Sequence, residues 1–310
     1  MTQTIRQHNR PSRRSRGYVL LLTLLILALA ASVMAEVCRS SLNRSLAAGR
    51  AEEELQRRWA VLSCQAALLP RVEQVLARAE AARGAPVTVA RVSLVLGSQR
   101  IDVVFADEQA KLNVNELLRT RGNSAAERAI RELVRGSGSG VKTKLLAGEN
   151  RQPVRDPLDG GVTNNPDDRP LHSFGQVFPD APAAALIGHP ATAGRTSPTI
   201  DLTCWGDGAL HFRRASPMAV RQFCSQSMDS LQIDKLLEAR NRSPDADAFE
   251  LLDDLQLSDA ARDVLDAGLE VESNCHSLWI IARSPQRSWY HLAVLDKSVQ
   301  GPAQSVQFAW

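Results

Sequence analysis

The sequence predicts an α+β protein, with one very long N-terminal helix, an antiparallel sheet, and a helix-rich stretch inserted before the last strands. Three patterns carry that reading. An uncharged apolar run, Tyr18 to Ala35, passes directly into an amphipathic stretch that ends at Pro70. Val92, Leu94 and Leu96 alternate with Ser93 and Val95, and after Gly97-Ser98-Gln99 the residues Ile101, Val103 and Phe105 alternate again, a hairpin signal. Val271 to Ala282 and Trp289 to Leu295 read as two closing strands around Ser284-Pro285-Gln286-Arg287.

The N-terminus is basic. Residues 1–17 hold Arg6, Arg10, Arg13, Arg14 and Arg16 and no acid. Positive charge beside an apolar helix keeps that end in the cytoplasm, so the chain after Ala35 is expected to be exported. Two processing fates fit. Val33-Met34-Ala35 offers small residues for signal-peptide cleavage before Glu36. Gly17 followed at once by Tyr18 and an unbroken apolar helix resembles a type IV prepilin leader, cut between those two residues so that the run is kept as an anchor. The length of the run is near the lower end of the roughly 17–25 residues that span a bilayer.

Beyond the run, Leu55, Trp59, Leu62, Ala66 and Leu69 recur at steps of four and three, one apolar stripe of a helix, with Glu52, Glu53, Glu54, Arg57 and Arg58 largely off it. Pro70 stops or kinks that helix, because it lacks an N–H and clashes with the preceding turn. A second helix over Arg71 to Arg83 has Pro70 at its first turn and Gly84 as its C-terminal stop.

Composition excludes several functions. The formal charge is +3, but five of the 37 Lys and Arg lie in the leader, so the remainder is slightly acidic against 34 Asp and Glu. Residues 229–270 hold Lys235, Arg240, Arg242 and Arg262 against twelve acids, the wrong sign for gripping phosphates, and no nucleic-acid partner is expected. Cys38, Cys64, Cys204, Cys224 and Cys275 show no CxxC spacing, which speaks against a zinc or dithiol site. The last three could supply one disulfide, and free or structural thiols are the default. The six histidines form no HExxH or i, i+4 pair, so no enzyme is expected. Gly136 to Gly140 is a flexible linker by composition.

One motif goes further. The second alternating strand runs into Asp107-Glu108-Gln109-Ala110-Lys111-Leu112-Asn113-Val114-Asn115. Behind a prepilin-like N-terminus, this motif resembles the general secretion pathway protein K family, the large minor pseudopilin of type II secretion. Leu117 to Val134, Pro170 to Phe178, Leu236 to Arg240 and the strand and tight turn over Ile200 to Gly208 follow in that family's order. In the turn Gly206-Asp207-Gly208, glycine suits positive φ. The chain departs from the family where an asparagine motif is usual and His211-Phe212-Arg213-Arg214-Ala215 stands instead.

The resemblance implies a pilin-like long helix on an antiparallel sheet. Residues 1–17 would be the leader, 18–35 the transmembrane anchor, 36–84 the periplasmic helices and 85–111 the hairpin. Residues 112–270 would be a mostly helical insertion that includes a 200–212 hairpin, and 271–310 the closing strands. It implies a non-enzymatic tip subunit that starts and caps the pseudopilus. The expected partners are other minor pseudopilins, the major pseudopilin, a prepilin peptidase and the inner membrane, with Tyr18 methylated after cleavage. Most pilin-like subunits carry glutamate at the fifth mature position, where this chain has Leu22. A leucine there has no buried carboxylate to neutralise, which suits the first subunit of a filament. Related secretion pseudopilins bind calcium, for which Asp156, Asp159, Asp167 and Asp168 are candidate oxygen ligands; a solvated acidic loop is the favoured reading. The alternatives are a minor pilin of a type IV pilus and a periplasmic binding protein released by signal peptidase.

Overall fold

The computed structural model describes residues 14–96, 99–136, 141–145, 170–187, 197–283, 288–297 and 304–309. The chain divides into two compact units, one up to Trp59 and one from Ala60 onward. Helix α1 (Arg14–Leu68) supplies the first and continues into the second. Its stretch from Tyr18 is long and apolar enough to cross a membrane. Within it, the Thr23 and Ser32 hydroxyls donate to the Leu20 and Leu29 carbonyls at 2.8 Å, so neither of these two is left unsatisfied in a medium without water.

In the second unit, Pro70 falls in a 3-10 turn over Leu69–Arg71, and α2 (Val72–Arg83) follows. Gly84 ends α2 at φ 67°, its N–H on the Glu80 carbonyl at 2.8 Å, as a left-handed cap requires. Strands β1 (Val89–Leu96) and β2 (Gln99–Asp107) then pair as the expected hairpin. Next come β3 (Leu112–Asn113), α3 (Val114–Gly136, kinked at Gly122), α4 (Phe174–Val177), α5 (Ala183–Ile187), β4 (Leu202–Thr203) and β5 (Leu210–His211). Helices α6 (Pro217–Cys224), α7 (Ser230–Arg242), α8 (Ala248–Asp253) and α9 (Asp259–Gly268) lead to β6 (Leu269–Glu270). The chain finishes with β7 (Cys275–Arg283), β8 (Ser288–Asp296) and β9 (Gln304–Ala309).

The main sheet runs β1-β2-β7-β8-β9, antiparallel throughout. Everything from Glu108 to Asn274 is therefore inserted between two neighbouring strands, with Asp107 opposite His276 where the insertion departs and returns. Both sheet faces are covered, which explains why β7 is buried along nearly all its length rather than alternating. Ile101, Val103, Phe105, Leu278 and Ile280 face a core completed by Val61, Cys64, Leu69, Val72 and Leu76 of the helices. Val104, Trp279, Ile281 and Leu292 face a second core, where Phe174 meets Trp205 edge-on at 5.0 Å and stacks on Trp279 at 6.3 Å. A third core, built from α6 to α9 with Leu210 and Leu269, lies within the insertion.

Two expectations are corrected. The stripe through Leu55, Trp59, Leu62, Ala66 and Leu69 is exposed except at Leu69; Leu62 is 49% accessible, while Val61 and Cys64 take the sheet-facing positions. This segment is apolar on more than one face, so periodicity alone could not choose the buried one. The 200–212 segment is not a hairpin. Strand β4 pairs in parallel with β3, and β5 in parallel with β6, so each finds its partner at an end of the insertion. The turns at 97–98 and 284–287 and the linker residues 137–140 lie outside the described residues.

Truncating Leu76→Ala, fully buried, should cost about 2–5 kcal/mol. Leu62→Ala should stay within about 0.5 kcal/mol. Urea unfolding of the two variants checks this, and an equal loss at Leu62 would restore the predicted stripe.

Candidate functional site

The motif that opens the insertion builds a polar hub closed off from water. Asp107, Glu108, Gln109, Lys111 and Asn113 are all buried. The Asp107 amide still donates to Thr88 of the sheet edge at 3.0 Å, and the Glu108 amide to Cys275 at 2.9 Å. Asp107 Oδ1 accepts from the Ser273 hydroxyl at 2.6 Å and from the Ala110 amide at 3.2 Å. Its Oδ2 meets His211 Nδ1 at 2.6 Å. Burial works to raise the Asp107 pKa, but the His211 contact, with Ser273 and the nearby His276, holds the carboxyl below its usual value.

Glu108 and Lys111 form an ion pair of 2.6 Å whose side chains are 0% and 1% exposed. Ser277 of β7 also donates to Glu108 Oε1. Each ion loses several kcal/mol of solvation here, so the pair stands only while both partners are present. Lys111 also acts on Asp201; burial raises that carboxyl, and the Ser216 hydrogen bond and the Lys111 charge oppose the rise.

A second cluster centres on Arg214, whose side chain is 3% exposed. Its guanidinium makes a bidentate pair with Glu73 at 2.6 and 2.7 Å, reaches Glu80 Oε1 at 2.7 Å, and touches Asp107 Oδ2 at 3.3 Å. Planar forked donors suit this recognition of several carboxylates. Glu73 and Glu80 are seven residues apart on α2, two turns, and so share one face. His276 Nε2 lies 3.1 Å from Glu73, and Arg213 reaches Glu80 at 3.0 Å. The Arg214 and His276 hydrogen bonds depress the Glu73 pKa. Burial raises Glu80, but Arg214, the Val87 amide and Arg213 bring it below its ordinary value. Arg214 itself is pushed up, its partners outweighing burial.

The rest of the motif fixes backbone. Asn113 Oδ1 caps α3 through the Asn115 and Glu116 amides at 2.8 and 3.3 Å, and its Nδ2 donates to the Trp205 and Gly206 carbonyls. Asn115 ties Leu171 to Cys204. Leu112 lies in the core and pairs with Leu202. Gln109 bridges Asp207 and Glu270 at 3.0 Å each. Gly206 and Gly208 adopt φ 87° and 98°, and a Cβ on Gly208 would sit 3.1 Å from Glu116.

The hub thus gathers Asp107, Glu108, Lys111, Leu112, Asn113, Asn115 and Gly206 to Gly208 at one place. Tyr18 and Leu22 lie far up the chain on exposed turns of α1, and Gly17 is in the same helix. Asp156, Asp159, Asp167 and Asp168 lie outside the described residues. No cluster of three metal-ligating side chains occurs among the described residues. All five cysteines are free, and burial pushes the thiols of Cys64, Cys204, Cys224 (to about 12) and Cys275 up, away from reactivity. Sequence reasoning missed Glu73, Glu80, His211, Arg214 and His276 as members of the site. The available signals were the two-turn spacing of the glutamates and the Arg-Arg pair in the departing segment.

A long N-terminal helix whose end packs on an antiparallel sheet, with a large insertion between neighbouring strands, defines an α+β protein. Among solved structures the chain is similar to a chain of the GspK-GspI-GspJ complex from the type 2 secretion system of enterotoxigenic Escherichia coli. The TM-score is 0.47 at 14% identity, over 84% of this chain and 98% of that one. No protein-family model matches the chain, and no curated protein matches it.

The lowered pKa values of Glu73, Glu80 and Asp107 set the sign of the acid response. Carboxylates depressed in the folded state add stability above their unfolded values, near 4. That stability is lost as pH falls through the folded values. The urea midpoint should hold from pH 7 to about pH 5 and fall below it, and Glu73→Gln should flatten that fall; a midpoint independent of pH down to pH 3 would contradict the cluster.

Proposed function

We propose that the chain is a minor pseudopilin of a type II secretion system, a non-enzymatic subunit at the pseudopilus tip that starts and caps the filament and supports export of folded proteins across the outer membrane. One observation carries the reading. A single helix, α1, is uncharged and membrane-compatible over its first turns from Tyr18 and, from Val61 onward, contributes side chains to the core under a sheet. An anchor and a head made from one helix suit a subunit that is pulled out of a bilayer into a filament.

Leu22 gives the tip role its physical content. If the mature chain begins at Tyr18, the fifth position holds no carboxylate, so this subunit offers nothing to neutralise a neighbour's terminal amine within the membrane. Such a subunit fits where no neighbour precedes it. Prepilin peptidase would cut between Gly17 and Tyr18, and Tyr18 would be methylated. The anchor would sit in the inner membrane with the head in the periplasm, against other minor pseudopilins and the major one. A minor pilin of a type IV pilus would share these features and would differ in the subunits that co-purify. A signal sequence also passes the length and composition test that α1 passes, which keeps a secreted periplasmic protein as the second reading.

The N-terminal mass and sequence of the protein from its native membranes separate them. The proposal expects a chain beginning at N-methylated Tyr18, retained in the membrane. A chain beginning at Glu36 would remove the anchor and the role of Leu22 together.

A further inference from the structure

Residues 210–270 have a hydrophobic core of their own. Leu210, Phe212, Val220, Leu236, Leu252 and Leu269 belong to it, and β5 and β6 pair with each other where the segment begins and ends. The chain enters through Gly206-Asp207-Gly208, two of whose residues hold positive φ, and leaves through residues 271–274. The segment thus closes on itself at its neck.

Its attachment to the rest of the head has a different chemistry. Arg214 reaches Glu73, Glu80 and Asp107, His211 reaches Asp107, and Arg213 reaches Glu80. The His211 amide donates to the Gln109 carbonyl at 2.7 Å. Arg121 of α3 donates to the Gln222 carbonyl, and Gln222 Nε2 to Glu132 at 3.0 Å. Phe223 packs against both cores and adds an apolar contact. From inside the segment, Arg240 donates to the Phe212 and Ala215 carbonyls at 2.9 and 2.8 Å and stacks over the Phe212 ring at 5.2 Å. The loop that presents Arg214 is therefore shaped by the segment itself, before it meets α2.

We infer that residues 210–270 are a separately folded module, latched to the pilin-like body by Arg214 and free to swing on its two necks when that latch opens. Breaking polar contacts outside a closed apolar core changes where the module sits and leaves its fold in place. Opening the latch leaves the buried Glu80 and Asp107 carboxylates without Arg214, so the docked state is favoured while Arg214 is intact. Residues 229–270 as a whole carry twelve acids against four bases, so the latch also sets where that acidic excess sits.

Hydrogen exchange on the full chain in detergent micelles, wild type against Arg214→Met, tests this. The amides of Val87 and His211, whose acceptors are Glu80 and Gln109, should exchange at least about tenfold faster. Those of Ile233 to Leu237 in α7 and Leu278 to Ile281 in β7 should keep wild-type protection. Loss of α7 protection by the same factor would show that the module has no fold of its own. Unchanged exchange at Val87 and His211 would show that Arg214 is no latch. Should Arg214→Met fail to fold, Glu73→Gln is followed at the same amides, with a smaller acceleration expected and the same two results overturning the proposal.

Discussion

A guanidinium shut away from water among three carboxylates is the constraint on which the head depends. Arg214 belongs to the insertion, Glu73 and Glu80 to α2, and Asp107 to the end of β2. Arg214, Glu80 and Asp107 could not stand alone at their positions, because an unpaired buried ion costs several kcal/mol, while Glu73 closes the cluster from its half-exposed side. The three elements must therefore arrive together. That requirement fixes the rotation of α2 about its axis, since Glu73 and Glu80 must share a face. It also fixes how far the insertion's loop reaches, and the Glu108–Lys111 pair, one turn further along the motif, repeats the demand in a drier place.

Much of the architecture is legible in the sequence because it rests on local rules. Pro70 and Gly84 delimit α2 through the missing N–H and the left-handed cap, and the two alternating runs give a hairpin, with Gln99 already paired to Leu96 rather than in the turn. The motif from Asp107 to Asn115 stands out as a marker, but its partners do not. Asp107 meets His211 and Arg214 across more than a hundred residues, and no periodicity encodes such a pairing. The segment His211 to Ala215 reads only as a departure from a family pattern, yet it supplies the cation and the histidine of the hub. The exposed Leu62 and the parallel pairing of β4 and β5 share one cause: tertiary partners choose among faces and strands that the local pattern leaves equivalent.

The hub also explains how the antiparallel sheet carries a long insertion between β2 and β7. The insertion leaves and returns at adjacent residues, so its loop closes over a short gap and places little entropic demand on the sheet. Groups from both sides of that gap then pair: the Ser273 and Ser277 hydroxyls donate to Asp107 and Glu108, and the Asn274 backbone amide donates to Gln109 Oε1. In the proposed assembly, the anchor and the head are separate tasks for one chain. The apolar turns of α1 deal with lipid, and the buried charges keep the head's parts in fixed relation.

A double-mutant cycle between Arg214→Met and Glu80→Gln, read by urea unfolding, tests the central claim most directly. If the head depends on this cluster, the two losses should be coupled by about 1 kcal/mol or more, each substitution costing less once the other is made. Losses that add within about 0.5 kcal/mol would mean that the two side chains are stabilised independently. The ion cluster would then not be what holds α2, the sheet and the insertion together.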